Sequence, residues 1–62
     1  MPYVSVRMLK GRTKDQKKEL AKVITDALAD ICGARREGTT VVIDEVEREN
    51  WAVGGELMSE KQ

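Results

Sequence analysis

The chain has 62 residues with eleven basic and eleven acidic side chains, no histidine and a single cysteine. Balanced charge argues against nucleic acid as a default partner; the lone Cys32 rules out an intrachain disulfide, and one thiol without histidine cannot build a structural zinc site. No apolar run reaches membrane-spanning length and no signal-peptide pattern opens the chain, so the expectation is one cytoplasmic domain, residues 1–62, with no membrane contact.

Tyr3 to Met8 alternates, with Val4, Val6 and Met8 on one side and Tyr3, Ser5 and Arg7 on the other. That period, with its β-branched content, predicts a strand. Lys10-Gly11-Arg12 interrupts it. Thr13-Lys14-Asp15-Gln16 then has the form of a capping box, in which the Thr13 hydroxyl accepts from the Gln16 amide and the Gln16 side chain reaches back. Leu20, Val23, Ile24, Ala27, Leu28 and Ile31 recur at helical spacing, which predicts a helix over about 14–32 with one apolar face. Gly33 stands where a left-handed cap would stop it.

Arg35-Arg36-Glu37-Gly38 reads as a polar loop, and Thr39 to Val46 as a second strand. A helix between two strands predicts a parallel βαβ unit. Trp51-Ala52-Val53-Gly54-Gly55 suits a short hairpin, followed by a polar tail expected to be mobile from about residue 58 to 62. The class is therefore α/β: a single βαβ unit with a short C-terminal hairpin. Two strands and one helix leave sheet edges and apolar faces uncovered, and a chain this short buries little by itself. The expected cover is further copies of the chain, assembled as an oligomer. The charge is also uneven: six basic and two acidic residues lie between Lys10 and Lys22, six acidic and one basic between Asp44 and Glu60. Solvated faces of opposite sign account for this, as does attraction between subunits.

Without histidine there is no Ser-His or Cys-His nucleophile system and no imidazole acid or base. No glycine-rich phosphate loop is present. Cys32 is expected to be a buried small residue rather than a nucleophile. Asp44, Glu45, Glu47 and Glu49 read as a solvated strand end rather than a cation site.

Pro2 is chemically unusual. Removal of Met1 would leave a secondary amine at the start of the chain, and a terminal amine titrates nearer neutrality than lysine does. Such a base takes a proton from one atom and returns it to another, which is one-base tautomerisation. Arg12, between Gly11 and the helix start, suits a carboxylate both by its planar fork and by the backbone N–H groups beside it. Seven extended steps separate Pro2 from Leu9, which sets Arg12 about 20 Å or more from the Pro2 of its own chain. If both act on one small molecule, Arg12 comes from a neighbouring subunit. Trp51 either walls an apolar pocket or fills a core between subunits. Lys14, Lys17 and Lys18 lie where the helix dipole is already positive, as a solvated face or as a source of potential that attracts anions.

Met1-Pro2-Tyr3-Val4-Ser5-Val6, Leu9-Lys10-Gly11-Arg12-Thr13 with Gln16-Lys17, and Trp51-Ala52-Val53-Gly54-Gly55-Glu56-Leu57 together resemble the 4-oxalocrotonate tautomerase family over essentially the whole chain. The resemblance implies the tautomerase (MIF-like) fold, a homo-oligomer that is a hexamer built as a trimer of dimers, and neither metal nor organic cofactor. It implies keto-enol isomerisation of an unsaturated 2-hydroxy or 2-oxo acid of the kind met in aromatic catabolism, such as 2-hydroxymuconate or phenylenolpyruvate. Pro2 matches the catalytic base and Arg12 the arginine that grips carboxylate across a subunit boundary. Trp51 matches an aromatic that keeps the pocket apolar, and Leu9 a residue whose backbone amide lies near the site.

One position departs from the family pattern. Thr40 stands where well-known members carry a second arginine, so that either Arg35 or Arg36 reaches in from the loop or a different substrate is used. Two other readings compete with the tautomerase: a non-catalytic oligomeric module that retains Met1, and a haloacrylate dehalogenase or hydratase. The second is disfavoured because Val53 stands where related members place a water-activating glutamate.

Overall fold

The computed structural model describes residues 1–61. Strand β1 (Tyr3–Leu9) leads through a short loop to helix α1 (Lys14–Cys32), then to strand β2 (Thr40–Val46). β1 and β2 pair in parallel with Tyr3 opposite Thr40 and Leu9 opposite Val46. The Thr40 amide donates to the Pro2 carbonyl (3.0 Å) and the Lys10 amide to the Val46 carbonyl (2.9 Å), extending the ladder at both ends. The expected βαβ unit is present, and β1 runs one residue further than the alternation alone indicated.

Local chemistry fixes the ends of α1. The Thr13 hydroxyl accepts from the Gln16 amide at 3.1 Å and the Gln16 side-chain oxygen accepts from the Thr13 amide at 2.9 Å, satisfying two orphan donors at a gain of about 1 kcal/mol. Gly33 adopts φ 70°, and its amide bonds back to the Ala29 carbonyl; a side chain there would be strained.

Beyond β2, a 3-10 turn at Arg48–Asn50 precedes a two-stranded hairpin of β3 (Ala52–Val53) and β4 (Glu56–Leu57), turned by Gly54-Gly55. The tail expected to be mobile contains a 3-10 turn at Met58–Glu60, whose first amide donates to the Trp51 carbonyl at 2.8 Å. Gln62, part of that expectation, lies outside the described residues.

Val4, Val6 and Met8, with Val41, Ile43 and Glu45, line the sheet face that α1 covers, and Leu20, Ile24 and Leu28 turn inward. The single apolar helix face expected from the spacing divides in two. Val23 is 54% exposed and Ile31 82% exposed, with Ala27 between them. The opposite sheet face carries Tyr3, Ser5, Thr40 and Val42, all exposed, and a cross-strand ion pair of Arg7 with Asp44 at 2.9 Å. No described residue is buried.

Cys32 is exposed rather than buried. It is the last residue of α1, set between the exposed Ile31 and the exposed cap Gly33. No described helix is long and apolar enough to cross a membrane.

Candidate active site

Pro2 sits at the head of β1, half-buried, with its carbonyl committed to the ladder. Because the strands are parallel, the head of β1 lies beside the head of β2 and the loop that follows α1. A cleft of about 370 Å³ opens there, lined by Met1, Pro2, Ala34, Arg35, Glu37 and Gly38. Met1 packs over Gly38, where a Cβ would meet the Met1 Cγ at 3.4 Å. While Met1 is present the Pro2 nitrogen is an amide with no basic lone pair.

Arg12 and Leu9 occupy the other end of β1. The Arg12 Nη1 donates to the Leu9 carbonyl at 3.4 Å. Gly11, at φ 138°, gives the loop a turn that other residues rarely adopt, and its amide donates to the Glu45 carboxylate at 3.4 Å. Trp51 follows the end of β2, half-buried, its amide 3.4 Å from the Arg48 carbonyl. One subunit thus brings Arg12 next to Leu9 and leaves Pro2 a strand length away, about 20 Å. None of Leu9, Arg12 or Trp51 lines the Pro2 cleft of its own chain.

Glu45 is a residue that the sequence reading passed over as part of a solvated acidic run. It points to the helix side and accepts from Lys17 Nζ at 2.7 Å as well as from Gly11. It therefore ties the Arg12 loop to both α1 and β2. The signal was available in the alternation Val41, Ile43, Glu45, which sets a carboxylate on the covered face and demands a cation there. Two neighbouring acids are also engaged, Asp44 by Arg7 and Glu47 by Lys10 at 3.1 Å, so three of the four acids of the run stand in ion pairs.

The hydrogen bond from Lys17 holds the Glu45 carboxyl below its ordinary value of 4.5; burial opposes this, and the Gly11 and Arg12 amides add to the lowering. A depressed carboxylate stabilises the fold above its unfolded pKa and loses that contribution as pH falls through the folded value. Glu45→Gln should therefore lower stability at neutral pH and flatten its decline below about pH 4.5. Urea titrations of both proteins at a series of pH values and one subunit concentration check this. Curves that stay parallel on the acid side would remove Glu45 as the anchor.

The chain is thus a small parallel βαβ unit with a proline at the head of its first strand, a cleft against that proline and an arginine just before its helix. The family described as Tautomerase enzyme matches residues 2–61. A Bacillus cereus protein named Probable tautomerase is 48% identical over 61 residues, spanning 98% of this chain and 100% of that one. The 2-hydroxymuconate tautomerase of Bacillus subtilis is 40% identical over 62 residues, covering all of both chains. Among solved structures, a 4-oxalocrotonate tautomerase homologue superposes with TM-score 0.94 at 35% identity, over 100% of this chain and 98% of the other. A heterohexameric 4-oxalocrotonate tautomerase from Chloroflexus aurantiacus gives TM-score 0.91 at 34% identity, with complete coverage of both. The chain belongs to the tautomerase family.

Proposed function

We propose that this protein, once Met1 is removed, interconverts enol and keto forms of an unsaturated 2-hydroxy or 2-oxo acid, with Pro2 as its acid–base group. The observation that carries the reading is the position of Pro2, at the wall of a cleft and at the residue where the match to the tautomerase family begins.

The neutral amine takes the enol O–H proton. The O–H electron pair becomes the carbonyl π bond, the enol C=C electrons move along the conjugated system, and the carbon at the far end of that system uses them to take a proton from the Pro2 ammonium. Base and acid are the same nitrogen, so the cycle closes with no net proton and no change of oxidation state. An amine serves this purpose because its pKa lies near working pH, and nearby cations and apolar walls lower it further.

Arg12 of a neighbouring subunit would hold the substrate carboxylate, Trp51 would exclude water, and the Leu9 amide would lie against the substrate. This requires a homo-oligomer, proposed as a hexamer made of three dimers, in the cytoplasm. The exposed Val23, Ile31, Tyr3 and Val42 support such assembly, as apolar surface on a subunit with no buried described residue.

The test is ketonisation of 2-hydroxymuconate and of phenylenolpyruvate by protein whose intact mass shows loss of Met1. Turnover that falls at low pH as the amine protonates is expected. Absence of turnover with both acids, or a rate that ignores pH down to acidic values, would overturn the reading.

A further inference from the structure

Two guanidinium groups stand side by side in the loop after α1, and the structure separates them. Arg36 is committed: its Nη1 donates to Asp26 of α1, a carboxylate that Lys22 Nζ also reaches at 3.0 Å. The Arg36 hydrogen bond, ahead of the one from Lys22, holds the Asp26 carboxyl below its ordinary value, so this cluster serves the helix. Arg35 lines the Pro2 cleft, and Arg36 does not.

The root of Arg35 is fixed while its charge is available. Its carbonyl accepts from the Gly38 amide at 3.1 Å and from the Thr39 hydroxyl at 2.8 Å. Its Nε lies 4.0 Å from the Glu37 carboxylate, with the two side chains 88% and 79% exposed. That separation is too long for a hydrogen bond, and an ion pair so exposed contributes little. A substrate carboxylate accepting two parallel N–H···O bonds from the guanidinium is a better partner than Glu37. Glu37 also lines the cleft, where its charge repels a second anion.

We infer that Arg35 is a specificity-determining residue of the Pro2 cleft, binding a second carboxylate and selecting linear unsaturated diacids over monoacids, with Glu37 as its counterion when the cleft is empty. The inference rests on the tautomerase reading above. In that reading Arg12 takes one end of the molecule and Arg35 the other, with the reacting carbons between them against Pro2.

The test compares wild type, Arg35→Gln, Arg35→Lys, Glu37→Gln and Arg36→Gln, all freed of Met1. Turnover is measured on 2-hydroxymuconate, a diacid, and on phenylenolpyruvate, a monoacid. Calorimetry gives affinities for muconate and cinnamate, which do not react. Arg35→Gln should lower kcat/KM for the diacid about ten- to a hundredfold, chiefly through KM, while the monoacid changes less than about twofold. Arg35→Lys should fall between, since a point charge lacks the fork. Glu37→Gln should lower KM for the diacid, and Arg36→Gln should leave the diacid-to-monoacid ratio unchanged. Muconate affinity should fall with Arg35→Gln by the same factor as kcat/KM, and cinnamate affinity should not.

Equal losses on both acids, or muconate binding indifferent to Arg35→Gln, would overturn the assignment. Were wild type to turn over neither acid, the tautomerase reading would fail. The muconate–cinnamate comparison would still decide whether Arg35 selects diacids.

Discussion

Replacing Pro2 with alanine should lower kcat for enol ketonisation about a hundredfold, the low end of what a positioned acid–base group contributes. Alanine is small enough to leave Met1 removal intact, so the change reports on chemistry rather than processing. The variant still carries a terminal amine, which is why some activity should survive; what it loses is the ring that fixes the nitrogen lone pair. The fold should be unaffected. Pro2 contributes only its carbonyl to the ladder, through the Thr40 amide, and alanine has the same carbonyl. Steady-state rates with intact mass and far-UV circular dichroism on the same samples provide the check. A kcat equal to wild type in a folded, Met1-free variant would take Pro2 out of the mechanism.

The second large effect concerns where Arg12 acts. Arg12→Ala should cost about ten- to a hundredfold in kcat/KM, the loss of a charge-assisted carboxylate contact. The informative experiment mixes this protein with Pro2→Ala. If each site takes its proline from one subunit and its arginine from another, equal amounts unfolded together and refolded should recover about one quarter of wild-type activity, because random association completes that share of the sites. If both residues served from one chain, no mixed particle would hold a complete site, and only the residual rates would remain. The strand between the two residues, seven residues long, is the reason to expect recovery.

Much of the fold was legible because it is local. The period of Tyr3 to Met8, the reciprocal contacts of Thr13 and Gln16, and the left-handed Gly33 each depend on residues a few positions apart, and each appears where the pattern put it. The division of the helix surface was not legible. Leu20, Ile24 and Leu28 share a spacing rule with Val23, Ala27 and Ile31, and only the position of one's own sheet decides which set turns inward. Cys32 was misread for the same reason, since its exposure depends on where the end of α1 lies against the rest of the chain.

The candidate site divides similarly. Pro2 and Arg12 stand out by residue type and neighbours, and the length of β1 already separates them. Arg35 and Arg36 are adjacent and chemically identical, so nothing local tells them apart. The distinction comes from Asp26, a turn and a half back from the end of α1, which takes one guanidinium and leaves the other at the cleft. Glu45 was obscured by its acidic neighbours, although its place in the alternation marks it as the one facing the helix.

A subunit in which no described residue is buried turns concentration into a folding variable. Under the assembly proposed above, dilution acts as a denaturant does, and the melting midpoint climbs with the logarithm of the amount of chain present. Lesions on the outer flank of the helix, at Val23 or Ile31, would then register in a rate assay as failed catalysts, though neither side chain lines the Pro2 cleft. For such a protein, specific activity has meaning only when quoted with the dose at which it was read.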